Sequence, residues 1–200
     1  MESSRDYSLA VADWRRQVHA LYADVRSADS PQAGHELWIA RRCALFACHP
    51  ASPRMAGQEL RHATYDPAFR FVLPVETAPT DRFDVATGTD GVVPFRRIGR
   101  FEMPGLGGLD VWWLASYGGG LFVPIRDATA GASSYGAGRY LLDTVKGADL
   151  GRDDNRWVVD LNFAYNPSCV YDPTWACPLA PAGNRLTAPA PVGELLPTGY

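Results

Sequence analysis

The chain has 200 residues, 46 % of them hydrophobic and 20 % charged, with a formal net charge of −3. That length suits one domain with one sizeable core, and that charge leaves no long-range field to recruit nucleic acid. The arginines are scattered, and the pairs Arg41–Arg42 and Arg96–Arg97 are too short to track a phosphate backbone, so nucleic-acid binding is not expected.

The first residues, Met1 to Asp6, are polar and carry no apolar signal core. No stretch approaches the roughly 18 uninterrupted apolar residues of a membrane span. A cytoplasmic address without a membrane partner is therefore the expectation, and thiols there stay reduced. Residues 1–50 read as helical. Val11, Trp14, Val18, Leu21, Tyr22 and Val25 recur at helical spacing. Ser30-Pro31 then offers an N-cap and a proline at the first helical position. The second helix carries Leu37, Trp38, Arg41, Arg42, Leu45 and Phe46 and stops before His49-Pro50.

After Asp66-Pro67 the pattern changes to short β-branched and aromatic runs punctuated by Gly, Pro and Asp. The runs are 69–73, 82–86, 91–95, 98–103, 109–116, 121–126, 139–145 and 157–163. Short connections and no intervening helix predict a mainly-β (α+β) fold, an antiparallel barrel or sandwich with two N-terminal helices. Pro178, Pro181, Pro189, Pro191 and Pro197 predict an irregular C-terminal arm, since proline cannot donate to a sheet ladder. The expected organisation is a single domain over 1–200: helices in 1–50, an antiparallel body in 65–165 and the arm in 166–200.

Within the body, Ser116-Tyr-Gly-Gly-Gly-Leu-Phe122 echoes Ser134-Tyr-Gly-Ala-Gly-Arg-Tyr140. Two hairpin turns needing positive φ explain this most simply. The sharper alternative sets both turns side by side at one rim, with backbone N–H groups free for an anion. Pro124 marks its strand as an edge or a bulged one.

The strings Tyr117–Thr129, Tyr135–Leu141 and Asp160–Cys169, with Cys177-Pro178, Asn184–Leu186 and Gly193-Glu194, resemble a bacterial and archaeal family known as domain of unknown function 1684 (DUF1684). The resemblance covers most of the chain and is strongest over 109–194. It implies that these polar residues belong to a family pattern, and it implies no activity. Cys43 and Cys48 lie outside it.

Candidate site residues come from the same block. Arg139 follows a glycine turn, and its planar fork suits a carboxylate or phosphate; pairing with Asp127, Asp143 or Asp160 is the structural alternative. On a strand 157–165, Asp160 and Asn162 share one face, which is either the wet side of a sheet or the lining of a cavity. Tyr135, Tyr140, Asn166 and Arg126 complete a ligand-binding set in which an apolar wall carries a few polar anchors. The function expected is small-molecule binding, and in an enzyme acid–base chemistry on a small anionic substrate by Asp160 and Tyr165. The rival is a structural or partner-binding module in which the same residues form a sealed network. No cofactor is expected. Cys169 and Cys177 are read as packed thiols or a redox-dependent staple; as a metal site they would need further ligands, and no histidine follows His62.

Overall fold

The computed structural model describes residues 4–87 and 91–200. Two helices come first, α1 (Ser4–Arg26) and α2 (Pro31–Cys48). The start of α2 follows from its chemistry. Ser30 is extended and its hydroxyl accepts from Ala33 N–H at 3.1 Å, with Pro31 at the first helical position; such a cap contributes about 1 kcal/mol. Val18, Leu21, Tyr22 and Val25 bury one stripe of α1 against Trp38 of α2, whose indole N–H donates to Tyr22 Oη at 3.2 Å. Among the described residues no helix is long and apolar enough to cross a membrane.

Among the described residues eight strands follow: β1 (Arg70–Pro74), β2 (Arg82–Thr87), β3 (Gly91–Met103), β4 (Gly107–Leu114), β5 (Leu121–Ile125), β6 (Arg139–Asp143), β7 (Arg152–Asp153) and β8 (Arg156–Asp160). They are all antiparallel and form two sheets, β1-β8-β7 and β2-β3-β4-β5-β6. The fold is mainly β with two helices, and a closed barrel is not what forms. Strand β6 meets irregular chain at Tyr165 instead of pairing with β2, so the larger sheet stays open. Both sheets contribute to one core: Phe101, Leu109, Val111, Val123 and Leu141 from the larger, Val159 and Phe71 from the smaller. The helices cover the smaller sheet, where Val158 joins their apolar stripe.

The runs 91–95 and 98–103 prove to be one strand, β3, with its register slipped between Arg97 and Gly99. The extra residue reverses the alternation. Val93 and Phe95 therefore face the side of Trp112, while Phe101 and Met103 face the shared core. The same bulge turns Arg97 and Arg100 to one face, where they hold the two oxygens of buried Asp110 at 2.8 and 2.7 Å. Gly99 permits close passage of the chain after β1, because a Cβ there would lie 2.5 Å from the Glu76 carbonyl.

The sheet register also separates the two glycine turns. The first, with positive φ at Gly118, Gly119 and Gly120, enters β5; the second, with positive φ at Gly138, enters β6. Since Phe122 pairs with Asp143 and Ile125 with Arg139, the turns lie at opposite ends of the β5–β6 pair. That placement overturns the shared anion-binding rim. Pro124 lies in the middle of the sheet at a register shift, which makes its strand bulged and not an edge.

Candidate functional site

The polar residues of the block form a buried mortar under the C-terminal arm. Arg139 is 1 % exposed. Its guanidinium donates to Asp127 Oδ2 (2.7 Å) and to the carbonyls of Ala190 (3.1 Å), Glu194 (3.1 Å) and Val192. Asp127 Oδ1 accepts from Thr129 N–H (2.8 Å) and Ala190 N–H (3.1 Å). Burial pushes the Asp127 carboxyl up, but the Arg139 charge and these donors hold it below the usual carboxylate range. Arg139, expected as a ligand anchor, is placed under the arm as a clamp: both terminal nitrogens of its fork are taken up by chain, and its Nε is buried with no hydrogen-bond partner among the described residues.

A second buried carboxylate, Glu194, gathers the helices and the arm. Arg42 of α2 grips both its oxygens, His62 Nε2 lies 3.4 Å from Oε1, and Oε2 accepts from Asn166 N–H (2.7 Å) and Tyr171 Oη (3.3 Å). Burial alone would raise the Glu194 carboxyl; Arg42 and His62 outweigh it and bring it down to about 2. Asn166 also donates to the Leu195 carbonyl at 2.8 Å. Tyr165 lies over the Arg42 guanidinium, 4.9 Å from ring centroid to Cζ.

Strand β8 ends at Asp160, so the expected alternation through Tyr165 fails there. Residues 161–163 make a 3₁₀ turn capped by Asp160, whose Oδ1 accepts from the Asn162 backbone (3.0 Å) and side chain (2.8 Å). Asn162 also exchanges two 2.8 Å hydrogen bonds with the Asp66 backbone. Its own carbonyl accepts from His35 Nε2 at 2.9 Å. Asp160 Oδ2 looks toward Tyr65 Oη (3.4 Å) and Arg70 Nε (3.8 Å). Asp160 and Tyr165 thus attend to different neighbours, and the fold does not bring them together as an acid–base pair. Arg126 donates to the Gly136 carbonyl at 2.7 Å and braces its own loop.

The open space lies on the other face of the larger sheet. A cavity of about 470 Å³ has as its floor Val93, Phe95, Leu114, Phe122 and Tyr140. Trp14 and Arg15 of α1 form one wall, and residues 175–178 form another. Arg15, Lys146 and Tyr117 are exposed residues lining it. Asp143, also in the lining, sits 3.6 Å from the Lys146 ammonium, so among the described lining residues Arg15 is the cation in excess. Of the sequence-derived ligand set, Tyr140 alone lines this space; its hydroxyl donates to the Pro178 carbonyl at 2.7 Å. Sequence reasoning missed the helix and β3 contributions. The legible signal was Trp112-Trp113 in β4, which required apolar surroundings on both faces of one strand.

Cys177 also lines the cavity, and Cys169 lies beside it in the 3₁₀ turn Ser168–Val170. Both are free thiols. The neighbouring Cys169 thiol chiefly draws the Cys177 pKa down; burial opposes this, while the Cys169 backbone and the Lys146 charge favour it. Cys169 is pushed up in turn, by Cys177 first and by burial second. Tyr135 Oη is 3.8 Å from Cys169 Sγ. Among the described residues no group of three His, Cys, Asp or Glu side chains is arranged to hold a metal ion.

Residues 58–195 match the family model described as "Protein of unknown function (DUF1684)". The match takes in both sheets and the arm as far as Leu195 but neither long helix. No curated protein matches the chain. Among solved structures, the chain is similar to the solution NMR structure of the uncharacterized protein from gene locus rrnAC0354 of Haloarcula marismortui. Identity is 29 % and the TM-score 0.54, over 78 % of this chain and 89 % of that one.

Proposed function

The chain belongs to the DUF1684 family, and from that premise we propose that it binds a small molecule with an apolar body and an anionic group in the cavity on the outer face of the larger sheet. One observation carries the reading: the apolar cluster of Val93, Phe95, Phe122 and Tyr140 with Leu114 on this face is packed by chain around it, yet the packing leaves a cavity of small-molecule size above it. A volume of about 470 Å³ falls within the range of small-molecule sites. The apolar body would lie on Phe95, Leu114 and Phe122, and the anionic group would meet Arg15 beside the Lys146–Asp143 pair.

Native mass spectrometry of freshly purified protein tests for a retained molecule, and titration with an anionic naphthalene sulfonate dye tests the chemistry directly. The expected result is one saturable site, weakened at least about tenfold by Leu114→Trp, which fills the floor. Arg15→Glu should weaken the anionic dye and leave an uncharged analogue unaffected. Dye binding that survives Leu114→Trp in a cooperatively folded variant would overturn the proposal. The rival reading, a module without an open site, is favoured by the sealing of Arg139, Asp160, Asn162 and Asn166; it predicts no saturable site at all.

A further inference from the structure

We infer that Cys177 and Cys169 form a redox-active dithiol in the wall of this cavity, with Cys177 as the attacking sulfur, Cys169 as the resolving one and a hydroperoxide as the oxidant. Three features carry it. Ser168 and Cys177 line one cavity, which sets Cys169, next in the chain to Ser168, near Cys177 across seven intervening residues, and each thiol shifts the titration of the other. Cys177 lines open volume, so an oxidant reaches it. Lys146 lines the same cavity and favours the thiolate, the form that reacts.

The chemistry balances in two steps. The Cys177 thiolate attacks the terminal oxygen of ROOH; the S–O bond forms as O–O breaks, and the departing alkoxide takes the proton that Cys177 released, giving ROH. Cys177 is then a sulfenic acid. Cys169 attacks its sulfur, S–S forms as S–O breaks, and the hydroxide leaves as water with the Cys169 proton. Two electrons pass from the sulfurs to the peroxide, and an external dithiol returns them by exchange.

Reduced full-length protein treated with equimolar hydrogen peroxide should lose about 2 Da and yield a Cys169–Cys177 linked peptide, both reversed by dithiothreitol. The pair should oxidise at least about tenfold faster than Cys48. Cys169→Ala should accumulate a sulfenic acid at Cys177 that dimedone traps, and Cys177→Ala should show neither product. Oxidation of Cys48 ahead of the pair, or no linked peptide, overturns the inference. That comparison is made on the unaltered protein, so it stands even if a variant does not fold. A faster reaction with cumene hydroperoxide than with hydrogen peroxide is expected because it rests on the cavity reading. Equal rates with a linked peptide would count against that reading and leave the dithiol in place.

Discussion

Replacing Arg139 by Ala removes the clamp that ties β6 to the arm. The structure sets the scale of the loss. The Arg139–Asp127 pair is 1 % exposed on both sides, and removing one partner of such a pair costs about 3–5 kcal/mol because the other charge stays buried. The carbonyls of Ala190, Val192 and Glu194 lose a charged donor as well, at about 1 kcal/mol each where water does not replace it. Thr129 and Ala190 N–H groups still satisfy Asp127 Oδ1, and water entering the vacated space offsets part of the rest. A net loss of about 4–6 kcal/mol is expected, a large share of the 5–15 kcal/mol typical of a domain. Urea unfolding followed by tryptophan fluorescence measures it, and limited proteolysis should release the arm after Pro178 before the body is cut. The double variant Arg139→Ala/Asp127→Ala should lose less than the sum of the single losses, by about 1–3 kcal/mol. A single-variant loss under about 1 kcal/mol, with a protease-resistant arm, would refute the clamp.

Two buried groups make stability depend on pH in the same direction. Burial lowers the His35 imidazole to about 4, against the pull of its Asn162 carbonyl partner. Between pH about 6.5 and 4 the unfolded chain binds the proton and the folded one does not, so stability falls with pH by up to about 3 kcal/mol. Glu194, held at about 2, contributes stability that is full above its unfolded value and is lost as pH falls from about 4.5 toward 2. Urea melts should therefore slope downward between pH 6.5 and 4, and His35→Gln should flatten the upper part of that slope. Asn184→Ala offers a separate check, since Asn184 accepts from the Trp112 indole (2.8 Å) and donates to the Asp110 and Pro124 carbonyls (2.9 Å each). Orphaning three buried groups should cost about 2–4 kcal/mol in thermal or urea melts, with the dye site retained.

Sequence alone determined what local physics decides. The α1 stripe is a 3.6-residue period, the start of α2 is a Ser-Pro cap, and the strands are short runs between turn formers; each is legible because its cause lies within a few residues. The proline-dense arm was legible for the same reason. Tertiary structure decided which polar residues are sealed. An Asp or Arg on a strand reads alike whether it lines a cavity or clamps a carbonyl, and Arg139 is clamped by residues more than fifty positions away. The bulge at Arg97–Gly99 was equally hidden, since one unpaired residue leaves no compositional trace while reversing every side chain beyond it. The cavity depends on that reversal, on the second face of β4 and on the middle of α1, three features far apart in the chain. Tyr140 and Cys177 were visible beforehand as chemistry; only the packing put them in the lining of one cavity.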